Sequence, residues 1–334
     1  MSYLDEYLNR VSSESAADLH LAVGVPAILR ERGKGRLVPI GSAPITTSEM
    51  DSIVDVLTRG NANKRVDLAR GVPIKTQFID RTGTPWRVIV AQSQVGTVIG
   101  PNVTMRRISS RPPSIEEVGL EHDIHVRPLI ENDRGLFLVV GPTGSGKTTT
   151  LAAQIDMLRR REMRIVTLED PIEILYPPEQ GLITQREVGR DTPSFEEGVY
   201  DALRQDPNVI LVGEMRNRET IRAALLAALT GHLVLGTVHA GDCSEVHDRM
   251  LAGFDEAERN DLRRILDSVL KLVIAQRLAP RIGDSGLTEG VIVRRETLVF
   301  DWLGDIRALN GVDLERRIKQ VITEKGTGFD HGEH

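Results

Sequence analysis

The chain has 334 residues, of which 40% are hydrophobic and 27% charged, and its net charge is −6 at neutral pH. These values are ordinary for a soluble globular protein of about two domains. The acidic balance disfavours proteins that bind a nucleic-acid backbone over a wide surface. Cys243 is the single cysteine, which excludes an internal disulfide and a cysteine-based zinc site.

Targeting signals are missing from the sequence pattern. The first ten residues are charged and lack the apolar core of a secretory signal peptide. No apolar run approaches the roughly 20 residues that cross a bilayer as a helix. We therefore expect a cytoplasmic enzyme that meets a membrane only through partner proteins.

The first third of the chain alternates apolar and polar residues, which is typical of half-buried strands. The alternating segments lie near residues 19–23, 27–32, 36–40, 74–78, 86–90 and 103–107. Thr46 or Thr47 can cap a helix that runs from Ser48 to about Arg59, with Glu49 in its first turn. We predict a small α+β domain over residues 1–107.

A linker and a second domain follow. Residues 108–121 combine Pro112-Pro113 with serines and a glycine, a composition that predicts a linker. Beyond it, apolar runs alternate with helical stretches, which favours a parallel sheet covered on both faces. The apolar runs lie at 136–140, 164–168, 209–212 and 233–238, and the helical stretches at 147–160, 194–205 and 217–230. The predicted class is α/β over residues 122–334, with ligands at the carboxyl ends of the strands.

The first of these strands runs into a glycine-rich loop of the form G-x-x-x-x-G-K-[ST], and a helix follows. Strand, loop and helix in this order form a phosphate cradle, because the glycines admit an anion and the helix offers unpaired N–H groups. Lys147 is expected to reach the β- and γ-phosphates of ATP, and the Thr148 hydroxyl to bind Mg²⁺. The predicted nucleotide-binding residues are Gly141, Pro142, Thr143, Gly144, Ser145, Gly146, Lys147, Thr148 and Thr149.

Acidic and histidine side chains follow the other strands. Hydrolysis of ATP needs an acidic group to orient the attacking water, and Glu214 is the best candidate. The strand-end position where such enzymes carry Asp is Gly213 here, so Mg²⁺ would depend on Thr148 and waters, with Glu169 or Glu214 in its outer shell. His232 and His239 stand an odd number of residues apart and cannot chelate one metal from a single strand. We expect Mg²⁺ and no zinc.

Three stretches together resemble the secretion ATPase superfamily of the PilT/GspE type, which powers type IV pili, type II secretion and type IV secretion. GPTGSGKTTTLAA is similar to its Walker A loop, IVTLEDPIEIL to its Asp box, and the stretch from DPNVILVGE to GTVHA to its Walker B and His boxes. LITQREVG and VIAQRLAP are similar as well. The resemblance covers about residues 15 to 300.

The resemblance implies a RecA-like P-loop domain behind a PAS-like N-terminal domain, assembled as a hexameric ring that acts on inner-membrane components of its machine. No direct contact with nucleic acid is expected. It implies that Glu214 is the catalytic glutamate and Glu169 the Asp-box acid, and that Arg87 and Arg106 reach the nucleotide phosphates. His239 of the His box is the remaining catalytic candidate, and the other family-motif positions are Asp170, Arg204, Arg216 and His232.

Two differences from the family pattern narrow the choice of branch within the superfamily. One cysteine cannot form the four-cysteine zinc insertion of many extension and type II secretion members, which favours the retraction-like and type IV secretion branches. Residues 294–310 keep only a trace of the motif that ends the retraction motors and look closer to the DotB-like ATPases. We therefore expect a type IV secretion or conjugation motor, with pilus retraction as the alternative.

Two other classes of protein compete with this interpretation. A RecA-like helicase or DNA translocase shares the P-loop sheet but would need basic or aromatic loops to hold a strand, whereas this chain is acidic and only 4% aromatic. A scaffold that binds ATP without hydrolysing it is the other, and the presence of Glu214 argues against it.

Overall fold

The computed structural model describes residues 3–11, 16–31, 36–109, 111–120, 128–130, 132–178, 181–282 and 288–299. The chain divides into two compact units, residues 1–110 and 111–334. Most of the stretch 294–310, on which the choice of branch rests, lies outside the described residues or their described side chains. No helix within the described ranges is both long and apolar enough to cross a membrane.

The first unit is a six-stranded antiparallel sheet in the order β3-β2-β1-β6-β5-β4. Its strands are β1 Ala16–Ala22, β2 Ala27–Glu31, β3 Leu37–Ile40, β4 Ile74–Ile79, β5 Pro85–Val95 and β6 Val98–Arg107. Its helices are α1 Tyr3–Arg10, α2 Thr47–Thr58 and α3 Ala62–Ala69. The predicted α+β composition is confirmed, and α1 and α3 are additions to it.

Helix α2 is fixed by a capping box at its N-terminus and by an apolar face. The Thr46 hydroxyl accepts a hydrogen bond from the Glu49 N–H, and the Glu49 carboxylate accepts one from the Thr46 N–H, which satisfies two otherwise unpaired groups. The helix buries Met50, Ile53 and Leu57 in the core of the first unit. The predicted helix is confirmed, and Thr46 rather than Thr47 caps it.

An ion pair joins the facing residues Asp18 of β1 and Arg106 of β6, with the Asp18 side chain buried and that of Arg106 exposed. Asp18 is 2% exposed and accepts hydrogen bonds from Arg106 Nε at 2.6 Å and Nη2 at 3.1 Å. Burial alone would raise the pKa of Asp18, but the hydrogen bonds and charge of Arg106 outweigh it and hold that pKa below its usual value. Arg106 therefore stabilises the first unit through Asp18.

The second unit is a seven-stranded sheet in the order β13-β12-β7-β11-β10-β8-β9, parallel except for the pair β12–β13. Its strands are β7 Gly135–Val140, β8 Arg164–Glu169, β9 Leu182–Glu187, β10 Val209–Val212, β11 Leu233–Val238, β12 Leu270–Ile282 and β13 Thr288–Val299. Its helices are α4 Lys147–Arg159, α5 Phe195–Leu203, α6 Arg218–Leu229, α7 Val246–Leu251 and α8 Glu256–Val269. The predicted parallel sheet is confirmed, and its four predicted strands are β7, β8, β10 and β11.

Both faces of this sheet are covered. Along β7, Leu136 and Leu138 pack into one hydrophobic cluster, while Phe137 and Val139 pack into another. Continuous apolar runs are therefore needed in the central strands, because neither face meets water. Polar and charged residues follow the central strands at their carboxyl ends, which is where the cavity described below lies.

Part of the predicted linker is packed. Residues 111–120 belong to the second unit, where Ile115 is 6% exposed and Leu120 fully buried. Both join the cluster that covers one face of the sheet. The second half of the predicted linker over 108–121 is therefore part of the second unit, where Ile115 and Leu120 are buried.

We predict that Asp18→Asn destabilises the first unit by about 1–3 kcal/mol at neutral pH, because it removes charge-assisted hydrogen bonds to Arg106. The folded pKa of Asp18 lies below the unfolded one, so the contribution is full at neutral pH and is lost as the pH falls through about 4 toward the folded pKa. Urea unfolding followed by Trp86 fluorescence measures it in a Trp302→Phe background, which leaves Trp86 as the sole tryptophan.

The matched control is Asp51→Asn, whose side chain is 55% exposed beside Arg65 and whose loss should cost under about 0.5 kcal/mol. A loss for Asp18→Asn that is the same at pH 3 as at pH 7 would contradict the ion-pair account.

Candidate functional site

A cavity of about 490 Å³ lies at the carboxyl edge of the parallel sheet, where β7, β8, β10 and β11 end. Its polar lining includes Lys147, Thr148, Glu169, Glu214 and His239. The glycine-rich loop and the strand-end acids, which the sequence separates by tens of residues, therefore meet in one place. Arg216 and Asp170 also line it, as do Thr143, Gly144, Gly146 and Thr149.

The conformation of the glycine-rich loop depends on a left-handed glycine and on hydrogen bonds from Lys147. Gly146 precedes α4 with φ 89°, a left-handed conformation that favours glycine. Lys147 Nζ donates to the carbonyls of Gly141 and Pro142, both at 2.9 Å. Burial lowers the pKa of Lys147, and the negative charge of Glu214 opposes this. The loop thus offers a half-buried ammonium group and a helix N-terminus, the combination that binds phosphate.

Gln276 fixes this loop to the rest of the sheet. It is 2% exposed on β12, donates through Nε2 to Ser145 O at 2.7 Å and accepts from Thr150 Oγ1 at 2.8 Å. One side chain thereby ties the loop and the first turn of α4 to the neighbouring strand. The role of Gln276 was not predicted from the sequence, although a glutamine inside the apolar run of VIAQRLAP was the available signal.

Glu169 ends β8 and is 7% exposed. Its Oε1 accepts from Thr167 Oγ1 at 2.6 Å and from Gln185 Nε2 at 3.1 Å. Burial raises the pKa of Glu169, and these two hydrogen bonds oppose the rise. Neither Thr167 nor Gln185 was predicted from the sequence: Thr167 lies two residues before Glu169 in the same strand, whereas Gln185 meets it only through the pairing of β8 with β9. The neighbouring Asp170 is exposed.

Glu214 follows β10 and lies between two basic side chains. Its Oε1 is 2.5 Å from Arg216 Nε and 2.8 Å from His239 Nε2. The preceding residue, Gly213, donates to Leu168 O at 2.8 Å, and a Cβ at position 213 would lie 3.0 Å from that same oxygen. At that distance the Leu168 carbonyl would have to shift by a few tenths of an ångström to admit a side chain, which favours glycine before Glu214.

His232 and Arg204 lie away from the cavity within the second unit. His232 precedes β11 at its amino end, with Nδ1 3.2 Å from Ala227 O, so it is separated from His239 by a strand roughly 20 Å long. Arg204 is exposed at the end of α5 and donates to Tyr200 O at 3.0 Å. Arg87 and Arg106 belong to the first unit, where they are directly paired across β5 and β6.

The donor set of the cavity suits one kind of metal ion. Within the described part of the chain, no group of three or more His, Cys, Asp or Glu side chains is arranged to hold a metal. The Thr148 hydroxyl and the carboxylates of Glu169 and Glu214 offer oxygen, which Mg²⁺ prefers, and few ligands, which suits an ion that keeps several waters. The residues present therefore fit Mg²⁺ that arrives with a nucleotide.

Comparison with known proteins agrees with this geometry. The model of the family described as "Type II/IV secretion system protein" matches residues 1–316. The type IV pilus retraction ATPase PilT of Pseudomonas aeruginosa is 37% identical over 282 residues, which cover 84% of this chain and 79% of that protein.

Two solved structures have the same fold along nearly the whole chain. The pilus retraction motor PilT with bound ADP superposes with a TM-score of 0.82 at 29% identity, covering 98% of this chain and 90% of that one. The ATPase DotB of Legionella pneumophila gives 0.80 at 28% identity, covering 97% and 88%. The chain therefore belongs to the type II/IV secretion system protein family, and it is an ATP-hydrolysing motor of the secretion and pilus type with a RecA-like P-loop fold.

Proposed function

We propose that this chain hydrolyses ATP at the carboxyl edge of its parallel sheet to drive retraction of a type IV pilus. The observation that carries the chemistry is the position of Glu214, fixed between Arg216 and His239 in the cavity that also contains Lys147 and Thr148. A carboxylate beside a phosphate-binding loop can accept the proton of an attacking water.

In this proposal each side chain of the cavity has one task. Lys147 binds the phosphates, and Thr148 holds Mg²⁺, which when bound neutralises charge on the phosphates. Arg216 and His239 both contact Oε1 of Glu214, which leaves Oε2 to accept a hydrogen bond from the attacking water. Glu169, with Oε1 held by Thr167 and Gln185, completes the acidic side of the cavity.

The machine on which the motor works is the finer part of the proposal. Retraction is supported by the 37% identity to a retraction ATPase over most of both chains. The two structural likenesses do not discriminate, since their TM-scores are 0.82 and 0.80. A DotB-like motor of type IV secretion or conjugation is the second candidate, favoured by the sequence at 294–310. In either case we propose a homohexameric ring that acts on inner-membrane components from the cytoplasmic side.

Glu214→Gln should lower kcat for ATP hydrolysis by at least ~10²-fold while ATP still binds, because the amide keeps the size of the side chain but cannot accept the proton. Lys147→Ala should instead weaken binding, since it removes a charge that meets the phosphates. Steady-state phosphate release and titration with a fluorescent ATP analogue separate the two effects. The control is Glu219→Gln, an exposed carboxylate in the first turn of α6 and outside the cavity lining. Turnover by Glu214→Gln at the wild-type rate would remove Glu214 from its role.

Arg87 and Arg106 are proposed to contribute positive charge to the nucleotide phosphates during turnover. Arg87→Ala and Arg106→Ala should then lower kcat, and Arg→Lys should not restore it fully, since only arginine offers the planar fork. Because Arg106 also binds Asp18, Asp18→Asn serves as the control that removes the ion pair and keeps the arginine. If Asp18→Asn lowers kcat as much as Arg106→Ala does, the effect of Arg106 is structural and the proposed phosphate contact fails.

Deletion of the gene in the source organism tests the choice of machine. A retraction motor predicts cells that keep surface pili but lose pilus-dependent surface movement, because extended pili are no longer withdrawn. A plasmid copy should restore movement, and the Glu214→Gln copy should not. Normal surface movement together with loss of protein or DNA transfer would overturn retraction and select the second candidate.

A further inference from the structure

Thr237 occupies the one hydroxyl-bearing position in the apolar strand β11, whose sequence is LVLGTV. It is 4% exposed, lies two residues before His239 and lines the cavity. A valine of the same shape would be buried there without the cost of desolvating a hydroxyl group. The hydroxyl therefore calls for an explanation in terms of what it contacts.

Its contacts hold the chain on both sides of Glu214. The Thr237 hydroxyl donates to Gly213 O at 2.7 Å, and the N–H of Met215 donates to Thr237 O at 3.0 Å. β10 ends at Val212, so the Gly213 carbonyl lies just beyond the strand, and the hydroxyl extends the pairing of β10 with β11 by one more bond. One residue thereby fixes the peptide before Glu214 and the peptide after it.

The strand on the other side limits motion in the opposite direction. Gly213 N–H donates to Leu168 O at 2.8 Å, so the residue before Glu214 is held between β8 and Thr237. The backbone then sets where the Glu214 side chain begins, and its Oε1 lies near Arg216 and His239. Such control matters because a displacement of about 1 Å in a reacting group can cost ~10²-fold in rate.

We propose that Thr237 is a positioning residue for ATP hydrolysis, which sets the Glu214 carboxylate through the backbone on either side of it. The inference rests on the proposed role of Glu214 and assigns a cause to its orientation. The hydroxyl acts through Gly213 and not on the nucleotide. Removing the hydroxyl alone should therefore impair the chemical step and leave nucleotide affinity unchanged.

The test uses Thr237→Val, which keeps the shape and removes the hydroxyl, and Thr237→Ser, which keeps the hydroxyl. We expect Thr237→Val to lower kcat by about 10- to 100-fold at unchanged Kd for an ATP analogue, and Thr237→Ser to retain kcat within about threefold. The control is Thr192→Val, which removes a buried hydroxyl that donates to Ser194 O at 3.2 Å in the same unit, outside the cavity lining. Its kcat should stay within about twofold of wild type, and melting curves of all variants verify folding.

A double-mutant cycle with Glu214→Gln distinguishes positioning from a general structural effect. Single-turnover hydrolysis of γ-labelled ATP measures the low residual rates. If Thr237 acts through Glu214, adding Thr237→Val to Glu214→Gln should leave the residual rate unchanged within about twofold. A further fall equal to that in the wild-type background, a raised Kd, or a wild-type kcat in Thr237→Val would each overturn the proposal. Failure of the proposed function would appear separately, as normal turnover by Glu214→Gln alone.

Discussion

The cavity depends on the close backbone approach of three parallel strands at their carboxyl ends. Gly213 lies between Leu168 of β8 and Thr237 of β11, and hydrogen bonds to both hold it in place. A side chain at this position would meet the Leu168 carbonyl. The carboxyl ends of β8, β10 and β11 are therefore adjacent. The side chains at or just beyond these ends, Glu169, Glu214 and His239, line the same cavity. Adjacent β7 completes the edge with the phosphate loop, and Gln276 fastens that loop to β12.

Burial gives this site its electrostatic character. It lowers the pKa of Lys147 and raises that of Glu169, so in both groups it opposes the charged form. A bound polyphosphate would provide a negatively charged partner for the Lys147 ammonium group. A divalent ion would provide a positively charged partner for the carboxylates. The site is therefore complementary to a nucleotide and its metal together. The two glutamates differ in their partners: Oε1 of Glu214 lies against Arg216 and His239, whereas Oε1 of Glu169 accepts from Thr167 and Gln185.

Sequence patterns predicted those parts of the structure that depend on residues close together in the chain. The glycine-rich loop, the four buried strands of the parallel sheet and the Thr46 cap each carry their signal within a few residues. Contacts between distant residues carry no such signal: Gln276 and Ser145 are 131 positions apart, and Arg106 and Asp18 are 88 apart. Helices α1 and α3 have only eight residues each, which gives a periodic pattern few turns in which to repeat, although α1 buries Leu4 and Leu8 at helical spacing. The resemblance grouped His232 with His239, whereas the topology places them at opposite ends of β11. Proline and serine composition predicted a linker over 108–121, whereas Ile115 and Leu120 in its second half are buried in the cluster that covers one face of the sheet.

A high-resolution structure of the assembled protein with Mg²⁺ and a non-hydrolysable ATP analogue tests the central claim most directly. The account predicts that Lys147 Nζ leaves the Gly141 and Pro142 carbonyls for the phosphates and that Thr148 contacts the metal. It also predicts an ordered water between the γ-phosphorus and the free oxygen of Glu214, while Arg216 and His239 keep the other. A γ-phosphate directed away from Glu214, with its attacking water held by a different residue, would contradict the account.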